Sequence, residues 1–390
     1  MIADDLTGAC DVAAALVPWP EPVLVSVSRG DGAAPAGLPV RNTASRTLPP
    51  ASAAAAVHAA LADVPQGWRG ILVKKIDTAL RGPLGAELDA AIDAVGASEA
   101  FVVPAIPEVG RTTRDGVQHA DGVPVDRTAF ARDPGNPVRD ARVGAVVETT
   151  SRRRAGVVGL ADVRAGGIAA AVERLRREGA TIVVCDAETD DDLGRVVAAV
   201  LERPRPLVLA GSTGLARTLR TALGVTTDRP PLDVAPACDA GVLVVVGSLH
   251  PVARAQVAAL GDRARVAVVE RDHAGPGHAA ATWLAAGDTA VLTTPPVAGD
   301  GARIAASLAA AACAALERTR PGALVLVGGE SAQAVLAALG VEWLAIDDAP
   351  APLAVRGRIA GGGLAGLRVV TKGGSTGPPD RLRRLVEGVT

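Results

Sequence analysis

Short apolar, β-branched runs alternate along the chain with Ala- and Leu-rich stretches whose apolar positions recur at helical spacing. The runs predict strands at 23–28, 71–76, 100–103, 181–185 and 207–210, and again at 242–246, 266–269, 289–293, 323–327 and 367–371. Between them the pattern predicts helices over 51–63, 84–95, 166–178, 190–202, 213–223, 251–261, 302–318 and 331–339. Strands apolar at nearly every position belong in parallel sheets covered on both faces. The expected fold class is therefore α/β: two domains, each a mainly parallel sheet flanked by helices. The Pro-rich stretch VTTDRPPLDVAPACD at 225–239 sets the expected boundary, with domains at 1–225 and 240–390 and a linker at 226–239. Residues 104–150 break the rhythm with Pro, Gly and charge. That is too long for a structureless loop and predicts a functional insertion or small β-excursion in the first domain.

Composition narrows the function classes. A net charge of −2 over 390 residues argues against a nucleic-acid partner, and 2% aromatics with no Tyr removes base-stacking platforms. Cys10, Cys185, Cys238 and Cys313 lack CxxC spacing, which disfavours a disulfide framework or structural zinc and points to a cytoplasmic protein. No apolar run is long enough for a membrane span, and the first residues lack a signal-peptide pattern. Of 40 basic residues only Lys74, Lys75 and Lys372 are lysine, so a compact ammonium is expected to matter at each. A homo-oligomer is left open, because the apolar pattern does not separate a dimer face from a core face.

Ligands of parallel α/β sheets bind at the carboxyl ends of strands, so the strand-to-helix turns carry the chemistry. In the first, Asp4 and Asp5 precede Thr7-Gly8 at the start of a helix. Either could cap that helix, accept a ligand hydroxyl or act as general base. In the second, Lys74, Lys75, Asp77 and Arg81 cluster at a strand end, alternation placing Lys75 and Asp77 on one side and Lys74 on the other. That group suits an anionic ligand, with Arg able to grip a carboxylate bidentately. Arg111, between Gly110 and Thr112-Thr113, could join an anion site, and the small residues of 210–216 allow close backbone approach. In the second half, Gly247-Ser248-Leu249-His250, Gly328-Gly329-Glu330-Ser331 and Lys372-Gly373-Gly374 all follow predicted strands. Three such turns suggest a phosphate-binding surface of backbone N–H groups. Neither GxxxxGK[ST] nor a clean GxGxxG is present, the five histidines lack metal-ligand spacing, and no GxSxG elbow occurs.

Taken in order, these turns resemble the four-carbon acid sugar kinase family. The resemblance runs through IADDLTGA at 2–9, Ser45-Arg46, KKIDTALRG at 74–82, PAIPEVGRTT at 104–113 and the DGVPV to FARDPGNPV stretch at 121–138. It continues through AGSTGLA at 210–216, VVVGSLHPVARAQ at 244–256, VGGESAQAVL at 327–336 and VVTKGGSTG at 369–377. The chain departs from the family pattern at Thr78-Ala79, at His250, and at Gly373 and Thr376. The resemblance implies a sugar-acid-binding first domain, a nucleotide-binding second domain, and phosphoryl transfer from ATP to the terminal hydroxyl of a threonate-, erythronate- or 3-oxo-tetronate-type acid across the cleft between them. It implies Asp4, Lys75, Arg81 and Arg111 as substrate-binding residues, with Asp5 or Asp77 taking the proton. It also implies Ser248, His250, Gly328, Gly329, Glu330, Ser331, Lys372 and Gly374 around ATP, with Mg²⁺ carried in on the phosphates. A kinase of a different polyol acid, or a non-catalytic sensor of nucleotide or sugar acid, remains the alternative.

Overall fold

The computed structural model describes residues 1–28, 35–133, 136–225, 240–270, 273–295 and 301–389. The segment read as a linker, 226–239, and with it Cys238, lies outside the described residues. The chain forms two compact units. Among the described residues the first takes 1–20 and 40–225, and the second takes 21–28, 35–39 and 240–389.

In chain order the first stretch gives β1 (Ile2–Ala3), α1 (Leu6–Leu16), β2 (Val23–Ser26), β3 (Leu38–Asn42), α2 (Pro50–Ala60), β4 (Ile71–Lys75), α3 (Leu84–Val95) and β5 (Ala100–Val103). The irregular region follows, with β6 (Arg111–Arg114), β7 (Val117–Ala120), β8 (Val123–Pro124) and α4 (Val143–Glu148). Then come β9 (Arg154–Val158), α5 (Leu160–Arg164), α6 (Ile168–Arg177), β10 (Ala180–Cys185), α7 (Asp190–Leu201), β11 (Leu207–Gly211) and α8 (Thr213–Ala222). The first unit's sheet has the order β3-β1-β4-β11-β5-β10-β9, parallel at every junction.

Strand alternation builds the two cores of this unit. Leu72, Val102, Ile182, Val184 and Val208 face one side and pack with Leu88, Ile92 and Val147 of α3 and α4. Their neighbours Val73, Phe101, Val183 and Leu209 face the other, against Val172, Leu193, Val197 and Leu215 of α6, α7 and α8. Successive side chains point to opposite faces, so a strand buried on both sides must be apolar throughout. The expected β-excursion is present: β6, β7 and β8 form a small antiparallel sheet of their own.

The second unit contains β12 (Val242–Val246), α9 (Pro251–Ala258), β13 (Ala264–Val268), α10 (Ala274–Ala285), β14 (Thr289–Thr293), α11 (Gly301–Leu316), β15 (Ala323–Val327) and α12 (Gly329–Ala338). It closes with β16 (Trp343–Ala351), β17 (Ala354–Ile359), β18 (Arg368–Lys372) and α13 (Arg381–Glu387). Five strands, β13-β14-β12-β15-β18, run parallel, and β17, β16 and β2 continue the sheet antiparallel. The strand expected at 23–28 thus pairs with Trp343–Ala345 of the second unit's sheet, although its sequence position lies in the first half. The β16–β17 hairpin escaped the apolar pattern. It turns at Pro352-Leu353, with Leu353 at φ +58°, and carries Asp347–Arg358 and Asp348–Arg356 ion pairs on its flank. Proline followed by a positive φ is the geometry of a type II turn. Among the described residues no helix is long and apolar enough to cross a membrane.

Candidate functional site

The short β1 delivers Asp4 and Asp5 to the start of α1. Asp5 is the N-cap, its carboxylate accepting from the Gly8 N–H at 2.9 Å, so the capping reading of this residue holds. Both carboxylates are also gripped by one guanidinium. Arg46 donates to Asp4 at 2.8 and 2.9 Å and to Asp5 at 2.8 and 2.7 Å. Burial alone would raise Asp4, which is only 2% exposed, but Arg46, with Lys74 and Lys75, holds it below the usual carboxylate range. The Ser45 and Arg46 backbone N–H groups tie this loop to the Asp4 carbonyl at 3.0 and 3.2 Å.

At the end of β4 the two lysines part, as alternation requires. Lys74, fully buried, reaches Glu87 of α3 at 2.9 Å, and the Ser45 hydroxyl donates to the same carboxylate. Lys75 turns toward α1. Its Nζ donates to the Ile76 carbonyl at 2.7 Å and stands 3.3 Å from where a Cβ on Gly8 would lie. A glycine on this face of α1 therefore makes room for the ammonium. Beyond the strand, Arg81 holds Asp77 through its Nε and Nη2 at 2.8 and 3.1 Å and Asp133 through Nη1 at 2.8 Å. Burial works against ionisation of Asp77, yet the charges of Arg81 and Arg46 pull it far below its ordinary value. The guanidinium carbons of Arg81 and Arg111 lie 5.5 and 5.1 Å from the Phe130 ring centroid. Arg111 has no ion pair among the described residues, and burial lowers its pKa. Among the described residues this partly buried cation has its side-chain donors unspent.

These residues form one cluster, since Asp77 feels Arg46 and Lys75, and Arg111 feels Asp77 and Arg81. Asp5 and Asp77, one of which was expected to accept the proton, are each held by a guanidinium, Asp5 by Arg46 and Asp77 by Arg81. A cavity of about 460 Å³ opens elsewhere on the first unit, lined among others by Arg114, His119, Asp126 and Arg127, and takes in none of the strand-end residues.

In the second unit the three expected turns follow β12, β15 and β18, which are adjacent in its sheet. Ser248 is their meeting point. A Cβ on Gly374 would lie 2.0 Å from the Ser248 Oγ, and one on Gly328 would lie 3.4 Å from its backbone nitrogen. A Cβ on Gly247 would fall 1.7 Å from the Ser331 Oγ. Gly328 also takes φ +109°, a conformation closed to ordinary side chains. Gly329 and Glu330 open α12 directly after it, so the free N–H groups of that helix face the same turns. His250 caps α9, its Nδ1 accepting from Val252 N–H at 3.2 Å, and its backbone N–H donates to the Ser248 Oγ at 3.3 Å. Lys372 is 2% exposed, donates to the Gly373 carbonyl at 2.7 Å, and is lowered to about 8 by burial and the nearby Arg381.

The apolar pattern missed several participants. Arg46, 41 residues from Asp5, has no local signal and entered only through the family resemblance. Phe130 is one of two phenylalanines in the chain. Arg254 of α9 donates to Thr293 Oγ1 at 2.8 Å and to the Thr294 carbonyl at 2.7 Å, and has no carboxylate partner among the described residues. Asp11, the single charge in the eleven-residue LTGACDVAAAL of α1, could have been found by that isolation. Among the described residues no group of three His, Cys, Asp or Glu is placed to hold a metal ion.

Comparison with known proteins matches residues 1–219 to the sugar-binding N-terminal domain and residues 243–382 to the nucleotide-binding C-terminal domain. The chain is 33% identical to the D-threonate kinase of Salmonella typhimurium, over 98% of this chain and 96% of that protein. It is 33% identical to the D-threonate kinase of Bordetella bronchiseptica over 100% and 96%, and 30% identical to the D-erythronate kinase of Heliobacterium modesticaldum over 99% and 96%. The fold matches a solved Salmonella typhimurium LT2 structure with a TM-score of 0.82 at 22% identity, covering 98% of this chain and 97% of that one. With the same two domains in the same order and full-length relatives of one activity class, the chain belongs to the four-carbon acid sugar kinase family and is a kinase of that family.

Proposed function

We propose that the protein transfers the γ-phosphoryl group of ATP to the terminal hydroxyl of a four-carbon sugar acid of the threonate or erythronate type. The observation that carries this reading is the guanidinium of Arg111, without an ion pair among the described residues and set against Phe130 beside the Asp77–Arg81 pair. A desolvated planar cation with free donors is the natural partner of a small carboxylate. Arg111 binds the acid's carboxylate, Arg81 lends its remaining N–H groups, and Asp4, through the Arg46 network, helps order the hydroxyl end. Lys75 supplies a compact charge beside the α1 N-terminus. The relatives' names, D-threonate and D-erythronate kinase, agree with an acid of this size.

Phosphoryl transfer asks mainly for positioning and neutralised charge. Ser248, Gly328, Gly329, Ser331 and Gly374 offer a closely packed turn surface of backbone N–H groups and hydroxyls for a phosphate chain, while Glu330, His250 and Lys372 border it. Lys372 adds positive charge at the end of β18. Mg²⁺ carried in on the ATP phosphates would supply charge neutralisation there. The test is a coupled ADP-release assay with Mg-ATP across D- and L-threonate, D- and L-erythronate and 3-oxo-tetronates. Turnover with one acid and not its epimers is expected. Silence with all of them, with ATP binding intact by thermal shift, would sink the reading.

A further inference from the structure

Beside the charged cluster at the start of α1 stands a carboxylate that the ion pairs of that cluster do not use, Asp11. Asp11 lies on α1 with Thr7, Ala14 and Ala15 on the partly exposed stripe of an otherwise buried helix. It stands three residues beyond Gly8, the position where the Lys75 Nζ approaches within 3.3 Å of a Cβ site. Residues three apart share a helix face, so Asp11 and Lys75 face the same space. The charges of Lys75, Asp5 and Arg46 all reach it. Among the described residues Asp11 has no hydrogen bond or ion pair, whereas Asp4, Asp5 and Asp77 each have a guanidinium.

We propose that Asp11 is the general base of the phosphoryl transfer. This rests on the kinase reading above. As the substrate's terminal hydroxyl oxygen bonds to the γ-phosphorus, its proton passes to the Asp11 carboxylate. The bond from the γ-phosphorus to the bridging oxygen breaks, ADP leaves with that electron pair, and Asp11 returns the proton to water. Lys75, between the helix start and the strand end, keeps the carboxylate near the hydroxyl.

The surroundings suit the role. Burial raises Asp11 to about 7 and Asp5 adds to the rise, while Lys75 and Arg46 oppose it. A base is most effective when its pKa lies near the working pH. Among the described residues, the other charges on the elements packed most closely on α1 already have partners. Arg217 of α8 is taken by Glu108 and Asp190, Arg220 by the Val17 carbonyl, and Lys74 of β4 by Glu87.

The experiment compares the wild-type chain with Asp11→Asn and Asp11→Glu, using the acid found in the ADP-release panel and following kcat and KM from pH 5.5 to 9. The wild type should lose activity below about pH 7, on an acidic limb set by one group. Asp11→Asn should lower kcat by about 10²- to 10⁴-fold and abolish that limb, with KM changed only a few-fold. Its thermal shift with the sugar acid should match the wild type's. If Asp11→Asn keeps more than about a tenth of kcat with the limb intact, the proposal is overturned while the kinase reading stands. If the wild type turns over no acid, both fall. Should Asp11→Asn melt early, the Glu variant decides. A carboxylate that restores turnover and moves the acidic limb supports the base, and one as inactive as Asn overturns it.

Discussion

At the strand ends of the first unit nearly every functional group is a charge that already has a partner. At those of the second, the working parts are glycines, hydroxyls and backbone N–H groups. Arg46 spans Asp4 and Asp5, Arg81 spans Asp77 and Asp133, and Lys74 meets Glu87. Around Ser248, by contrast, close approach is set by the missing side chains of Gly247, Gly328 and Gly374. On the proposed reading, the first site recognises a small acid by where its unspent donors point, and the second recognises a phosphate chain through backbone N–H groups and hydroxyls. The two should therefore fail differently when altered.

The largest effect is expected in the charged site. Arg46→Ala removes the partner of two carboxylates at once, one of them buried. Breaking a buried pair costs about 3–5 kcal/mol, visible as a lower urea midpoint, and turnover should vanish with it. Arg46→Lys should recover little, because a point charge cannot bridge four oxygens. Full activity in Arg46→Lys would show that the bidentate geometry is unimportant.

Lys74 sharpens the contrast with its neighbour. Lys74→Met strands Glu87 in the core and should cost about 3 kcal/mol, and the double change Lys74→Met with Glu87→Leu should restore most of it. Lys75→Met should leave the urea midpoint nearer the wild type's and act chiefly on turnover. Equal midpoints for the two single variants would erase the division between a structural and a functional lysine.

In the backbone site the expected loss is in affinity. The Gly374→Ala methyl would fall 2.0 Å from the Ser248 Oγ, so turn and serine must separate. ATP binding measured by calorimetry should weaken at least about tenfold, or ~1.4 kcal/mol. The thermal response to the sugar acid should be unchanged. A variant that bound ATP normally would detach this turn from the nucleotide.

What was legible in the sequence follows the same division. Most of the parallel strands announced themselves because burial on both faces requires unbroken apolar runs such as VLVVV at 242–246 and ALVLV at 323–327, whereas β3 and β9, whose LPVRN and RAGVV bring in proline, glycine or charge, did not. β1 did not, being two residues long, nor did β16, whose WLAIDDAPA mixes acid and proline on an antiparallel flank. The placement of β2 in the second unit's sheet was invisible, because an apolar run does not say which sheet it joins. The three lysines of a chain that writes Arg nearly everywhere are all buried, at the ends of two strands, β4 and β18. Partnerships were the blind spot. Arg46 lies far from both its carboxylates in sequence, and no spacing rule links them.

Lys372 offers the smallest and most selective test, because it is the one lysine of the backbone site. Burial and Arg381 lower it to about 8 from an ordinary 10.5, so between those values the unfolded chain binds more protons than the folded one. Stability contributed by this group therefore rises as pH climbs from 8 to 10.5, and below 8 the folded state carries the cost of a buried ammonium. Lys372→Met should then raise the melting temperature at pH 7, and the gain should shrink toward pH 10.5. The same variant should slow phosphoryl transfer, because positive charge at the end of β18 is lost. A melting gain independent of pH would mean that the methionine merely packs better. A gain that shrinks, joined to slower turnover, would show a charge kept buried at the expense of stability for the sake of the phosphate.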